Sequence, residues 1–126
     1  MADYTPIHSG GAIPFTSSAS AGITGGQIVA ASGNHQVAPA GAASTTAVGV
    51  AAHDALTGAK VTVWPLTNVT HEITSTGTIA AGDTIVTGAA GVAAMAAAAT
   101  AAAAGTVVGK ALAGATGGAV VRFIGR

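Results

Sequence analysis

Gly58-Ala59-Lys60-Val61-Thr62-Val63 and Gly118-Ala119-Val120-Val121-Arg122-Phe123 stand sixty residues apart and decide how this chain folds. Each starts on small turn residues and runs into a short strand rich in β-branched side chains. Working outward, Val48-Gly49-Val50-Ala51 lines up with Val108-Gly109-Lys110-Ala111 at the same offset. Earlier still, Gly25-Gly26-Gln27-Ile28-Val29 lines up with Gly82-Asp83-Thr84-Ile85-Val86 at an offset of fifty-seven. The chain therefore reads as two tandem half-repeats, about 25–65 and 80–126. Each copy gives a strand, a long loop, a Val-Gly strand, a Gly turn and a further strand. Two such copies pairing into one closed or nearly closed barrel would leave no exposed sheet edge.

The remaining pattern agrees with an all-β class. Strands are expected at Gln27–Ser32, Gln36–Ala38, Thr46–Ala52, Lys60–Trp64, Val69–Ser75, Thr84–Thr87, Thr106–Leu112 and Ala119–Ile124. Val69-Thr70-His71-Glu72-Ile73 alternates as a half-buried strand does, and Ser32-Gly33-Asn34 reads as a hairpin turn. Val92–Ala104 is different: its Ala run and Met95 favour helix over strand, but it has no amphipathic face, so a short helix or a low-complexity loop fits it. The expected architecture is a small Gly/Ala-rich β-barrel or β-tulip-like domain over residues 18–126, with at most one short helix. Residues 1–17 lie outside both copies. Pro6, Gly10, Gly11 and Pro14 exclude a helix there, leaving a frayed terminus or an extended arm that adds to another protein's sheet.

Composition narrows the function. The 126 residues include one Trp, one Tyr and two Phe, and most of the hydrophobic half is Ala and Val. Such side chains bury little area, so the core is thin for a domain with no cysteine to staple it. Self-association or docking onto something larger is the available compensation. Only 6% of residues are charged, four basic and four acidic, against ~25% in ordinary domains. Lys60, Lys110, Arg122 and Arg126 are scattered, without the basic stripe that nucleic-acid binding needs. The uncharged stretch from Thr84 to Gly109 is long enough for a bilayer, but glycines interrupt it and it holds no Leu or Phe, so no membrane span is expected. Met1-Ala2-Asp3-Tyr4 shows neither the basic nor the apolar region of a signal peptide.

No catalytic, metal or cofactor site is expected. Gly105-Thr106-Val107-Val108-Gly109-Lys110-Ala111 resembles a phosphate loop, but it has three residues between its glycines where four are needed. Ala111 stands where a Ser or Thr would hold magnesium. His53-Asp54 and His71-Glu72 are sequence neighbours, which point to opposite faces of a strand, and no second His follows at zinc spacing. No Gly-x-Ser-x-Gly elbow occurs, and the carboxylates are too few for an acid pair. Trp64-Pro65 ends the best strand. Trp64 reads as a core or rim residue, or as an interface anchor, a frequent role for a lone Trp.

The succession Gly25–Val29, Val48–Ala51, Gly58–Val63, Ala80-Ala81-Gly82-Asp83-Thr84-Ile85-Val86, Val108–Leu112 and the closing Val120-Val121-Arg122-Phe123 resembles the capsid cement (decoration) family of tailed bacteriophages. The resemblance covers roughly residues 20–126. Gln27 stands where an Asp is usual, and the Ala run 93–104 is long for the family. The resemblance implies a non-catalytic β-rich protein made in the host bacterial cytoplasm. It also implies trimers that bind the major capsid protein on the outer surface of the virion. In that setting Tyr4, Pro6, Ile7 and His8 would form the capsid-binding arm. The alternative is another virion or tail-associated structural module, for which a coiled-coil trimerisation segment would be expected. An ice-active repeat would need regular Thr spacing, and the Thr at 67, 70, 74, 76 and 78 are irregular.

Overall fold

The computed structural model describes residues 11–126. Its ten strands are β1 (Ile13–Ser17), β2 (Ile28–Gly33), β3 (Gln36–Pro39), β4 (Ala47–Ala51), β5 (Lys60–Pro65), β6 (Thr70–Thr74), β7 (Thr84–Thr87), β8 (Ala93–Ala96), β9 (Gly109–Ala111) and β10 (Val120–Gly125). One short helix, α1 (Ala98–Ala104), joins β8 to β9, and a 3₁₀ turn at Ala89–Gly91 joins β7 to β8.

The first five strands close on themselves in the order β1-β3-β2-β4-β5. β1 runs antiparallel to β5, with Ile13 opposite Val63 and Thr16 opposite Lys60. It runs parallel to β3, with Thr16 opposite Gln36 and Ser17 opposite Val37. The second five strands repeat this order as β6-β10-β9-β7-β8. A parallel bridge between Ser75 and Ala93 joins the outermost strands, as Ser17 and Val37 do in the first copy. The strand order thus recurs in the backbone, but the expectation of one barrel shared by both copies needs correcting, since the first five strands close by themselves. The first copy forms a closed barrel alone, and the second repeats its strand order as a five-stranded sheet whose outer strands meet at that single bridge. Parallel pairing of β1 with β3 lets five strands complete a ring without borrowing a partner.

The register also corrects the alignment of the early strands. Gly26 N–H donates to Ala51 O and Ala51 N–H to Gln27 O; their counterparts are Gly82 N–H to Ala111 O and Ala111 N–H to Asp83 O. Gln27 therefore matches Asp83, an offset of fifty-six rather than fifty-seven. The side chains agree, since Gln27 Oε1 accepts from Thr24 N–H and Asp83 Oδ2 from Ala80 N–H, both at 2.8 Å. A one-residue slip in a strand would turn every side chain to the opposite face.

Two glycine pairs carry the repeat for physical reasons. A Cβ on Gly49 would overlap the carbonyl of Trp64, and one on Gly109 the carbonyl of Ile124, so neither Val-Gly strand admits a side chain there. Gly58 and Gly118 turn into β5 and β10 at φ +82° and +85°, a region costly to any residue with a Cβ.

Packing divides into two clusters. Ile23, Val29, Val37, Ala51, Ala55, Val61 and Val63 fill the first barrel. The second is built on Ile73, Ile79, Ile85, Val121 and the fully buried Phe123, and it takes in Ile28, Ala40 and Val50 from the first copy. β2 alternates, sending Val29 into its own barrel and Ile28 to the other cluster. Hydrogen bonds sew the copies together: Gly91 N–H donates to Ala40 O, Ala43 N–H to Thr87 O, and Thr87 Oγ1 to Gly41 O.

Three expectations change in detail. The 1–17 arm cannot extend to residue 17, because Ile13–Ser17 is a barrel strand. Val92–Ala104 is neither all helix nor all loop; Ala93–Ala96 pairs with β7, and the helix follows only from Ala98. Thr106–Leu112 shortens to Gly109–Ala111, because Thr106 still serves the helix end, bonding Ala101 O through N–H and Oγ1.

Candidate functional site

Tyr4, Pro6, Ile7 and His8 lie outside the described residues. The structure does place the point at which that segment joins the barrel. β1 begins at Ile13, opposite Val63, so the chain ahead of it leaves the barrel beside Trp64. Trp64 is near the C-terminal end of β5 and is 45% exposed, while its cross-strand partner Val50 is buried in the cluster between the copies. The indole is thus at a rim: it is outside both barrel interiors and keeps a free face. The start of β1 and Trp64 share one end of the first barrel.

The histidines do not converge with other ligands. His53 Nε2 accepts from Thr62 N–H at 3.2 Å while Nδ1 meets Asp54 O at 2.9 Å, so the ring ties the loop after β4 to β5. His71 is buried against Phe123, ring centroids 5.7 Å apart, with Nε2 2.9 Å from Pro65 O. His35 occupies the β2–β3 turn at φ 54°, 6.2 Å from the ring of Phe15. Among the described residues no three His, Asp or Glu side chains come close enough to hold a metal ion. Gly105 ends α1 as a left-handed cap, so the helix precedes the Gly105–Ala111 segment instead of following it. That order removes the helix N-terminus that a phosphate loop requires.

A cleft of about 500 Å³ lies between the copies and is lined by Thr24–Gln27, Glu72–Thr74, Ala90–Val92 and Val120. Glu72 is its one ionisable group, without a nucleophile or base beside it. No described helix is long and apolar enough to cross a membrane.

Sequence reasoning missed a different surface, on the outer side of the second copy. Thr70, Glu72 and Thr74 of β6 lie opposite Ile124, Arg122 and Val120 of β10. On the far side of β10, Lys110 lies opposite Ile124, and Leu112 N–H donates to Arg122 O at 2.8 Å. The Arg122 guanidinium donates through Nε and one Nη to a single oxygen of Glu72. Val120, Leu112 and Ile124 surround that ion pair and are 54%, 49% and 36% exposed. A hollow of about 340 Å³ lined by Glu72, Ala113, Val120 and Arg122 indents the same face. The signal was present in Val120–Ile124, whose residues are apolar on both faces of the strand except at Arg122.

The model of the phage cement protein family matches residues 7–124. This chain belongs to that family. No curated protein sequence matches it. Among solved structures, the cement-family chain is similar to the head fiber gp8.5 N base of bacteriophage phi29, with a TM-score of 0.69. Identity is 22%, and the match covers 91% of this chain and 94% of that one. A likeness at that identity speaks to the fold alone.

Proposed function

We propose that this chain is a capsid decoration protein: it binds the outer surface of a phage head and stabilises the shell without catalysis. The family match over nearly the whole chain carries this reading. A near-neutral exterior and a small Ala/Val core accord with a part that works while packed against neighbours. Its partner is the major capsid protein, its working form a trimer, and its destination the virion after synthesis in the host cytoplasm.

Contact is made by the end of the first barrel that carries Trp64 and the start of β1. Tyr4–His8 adds as an extended segment to a capsid sheet edge, with Tyr4 and Ile7 in pockets and Trp64 as the adjoining anchor. Ordering each backbone residue costs ~1–2 kcal/mol, so one such segment binds weakly. Three on one trimer raise avidity by ~10²–10⁴ over a single site. The test is co-sedimentation with purified capsid shells. Deleting residues 2–12, which stops short of β1, leaves the circular dichroism spectrum intact and abolishes most shell binding. Trp64→Ala weakens binding less. A truncated chain that decorates shells as well as the full one overturns the role of the leader, and failure of the full chain to bind any shell overturns the decoration reading.

A further inference from the structure

We infer that the free edge of β6, from Glu72 to Thr74, receives an extended basic segment of the capsid shell protein as an added strand, parallel to β6. The inference rests on the decoration reading and names a second contact, apart from the Trp64 end.

Alternation fixes which backbone groups are spare. Ser75 N–H donates to Ala119 O and Gly125 N–H to Val69 O, so the odd-numbered residues on and beside β6 bond β10. Thr70, Glu72 and Thr74 therefore turn their N–H and C=O groups the other way. Among the described residues no strand pairs with Thr70–Thr74 on that side, and the N–H groups of Glu72 and Thr74 have no acceptor. The edge borders the cleft of about 500 Å³ whose other walls are Thr24–Gln27 and Ala90–Val92.

The first copy shows what belongs at that position. There Thr16 N–H donates to His35 O and Ser18 N–H to Val37 O, closing β1 onto β3 in parallel. Matching Ser17–Val37 to Ser75–Ala93 makes Thr74 N–H and Gly91 O the counterparts of the first bond. Only the second bond recurs, as Thr76 N–H to Ala93 O. Gly91 is held elsewhere: its N–H donates to Ala40 O, and it lies so close to Ile28 O that a Cβ would overlap it. Docking of that turn on the first barrel leaves a seam in the second copy, shut at Ser75–Ala93 and unpaired from Thr74 back to Glu72. Proline marks a further contrast. Pro14, the counterpart of Glu72, lacks an N–H on the same side of β1, a usual guard on a strand edge. β6 has no proline and keeps both donors.

Backbone donors two residues apart on one edge call for a polypeptide, whose carbonyls repeat at the same spacing. Charge selects which one. Glu72 is the ionisable group lining the cleft, and Asp54 stands behind the opposite wall, bonded to Gly25 N–H at 2.8 Å. Two carboxylates against the one guanidinium of Arg122 leave the site a negative excess, which suits a segment carrying Lys or Arg. Gly25 and Gly26 bring no side chain to that wall, leaving room for a main chain to approach.

The experiment is hydrogen exchange of the full-length chain, free and co-sedimented with purified shells, read residue by residue by fragmentation mass spectrometry. In the free chain the Glu72 and Thr74 amides exchange faster than those of His71 and Ile73. On the shell both slow by on the order of tenfold. Thr74→Pro removes one donor without touching the β10 ladder, so the circular dichroism spectrum is kept. It binds shells more weakly than Thr74→Val, which retains the N–H, by on the order of tenfold. Glu72→Gln flattens the decline of shell binding with added salt. A chain that pellets with shells while Glu72 and Thr74 exchange as in the free state overturns the inference and leaves the decoration reading standing. Failure to pellet overturns both. Folded Thr74→Pro that binds as well as Thr74→Val overturns the added strand, and a salt response unchanged by Glu72→Gln overturns its basic character. Should Thr74→Pro fail to fold, the exchange comparison decides.

Discussion

The two halves of the molecule share a strand order, a closing parallel pair and the same indispensable glycines, yet they are filled differently. The first barrel is packed with Val, Ala and Ile, and its one aromatic neighbour, Phe15, is only partly buried. The second is centred on Phe123, where the first has Val63, and completes its cluster with Ile28, Ala40 and Val50 from its twin. Their connections diverge too: the loop between β3 and β4 is replaced in the second copy by one that holds α1. The backbone design survives by excluding side chains at a few points, while the interior can be refilled freely. The dependence runs one way. The first barrel contains its own core, whereas the second has lost that self-sufficiency and borrows its neighbour's outer face.

The largest test of this asymmetry is Phe123→Ala against Val63→Ala. Removing the fully buried ring should cost ~3–5 kcal/mol, a large share of the 5–15 kcal/mol typical of a domain. The valine truncation should cost ~1.5–3 kcal/mol, so in urea the midpoint of the first variant falls further. Equal losses would mean the two interiors are equally filled after all.

Ile28→Ala probes the borrowed contact and should cost ~2–5 kcal/mol. Because Ile28 sits in the first copy and packs in the second's cluster, unfolding by circular dichroism and by Trp64 fluorescence should shift together. Separate transitions would show two independent units.

A smaller contrast lies in equivalent serines at the closing pairs. Ser75 Oγ donates to Ala119 O at 2.8 Å, while buried Ser17 Oγ has no partner among the described residues. Ser75→Ala should lose ~0.5–1.5 kcal/mol, the net contribution of one hydrogen bond, because Ala119 O still accepts from Ser75 N–H. Ser17→Ala should be neutral or slightly stabilising, and thermal melts of the two variants decide the point. A marked loss from Ser17→Ala would reveal a bonded hydroxyl. Least is expected from Glu72→Gln on the stability of the single chain: the pair is more than half exposed, and such pairs contribute ~0–1 kcal/mol. A larger drop in melting temperature at low protein concentration would make the pair a fold determinant.

Most of the strands were legible because Val, Ile and Thr cluster between turn residues. The two that were not have separate causes. β1 carries Pro14, which has no N–H to give a ladder. The strand tolerates it because β3 pairs only with Thr16 and Ser17, leaving Pro14 with β5 alone. β8 is Ala-Ala-Met-Ala, a helix-favouring string that becomes a strand because Thr84–Thr87 offers it a complete edge. The fifty-seven offset failed for a related reason: matching Ile28 to Ile85 maximises identity, but hydrogen bonds match Ile28 to Thr84. The shared end of Trp64 and Ile13, and the face around Arg122, depend on which strands adjoin, which no local pattern records.

The placement of β1 has a mechanical consequence. A pull on the chain ahead of Ile13 is delivered along the axis of a strand flanked by β5 and, at its inner end, by β3. The register from Ile13–Val63 to Thr16–Lys60 is then loaded in shear, with its hydrogen bonds sharing the force instead of opening one after another. Tension at that terminus meets the barrel wall lengthwise, the direction in which a sheet resists most.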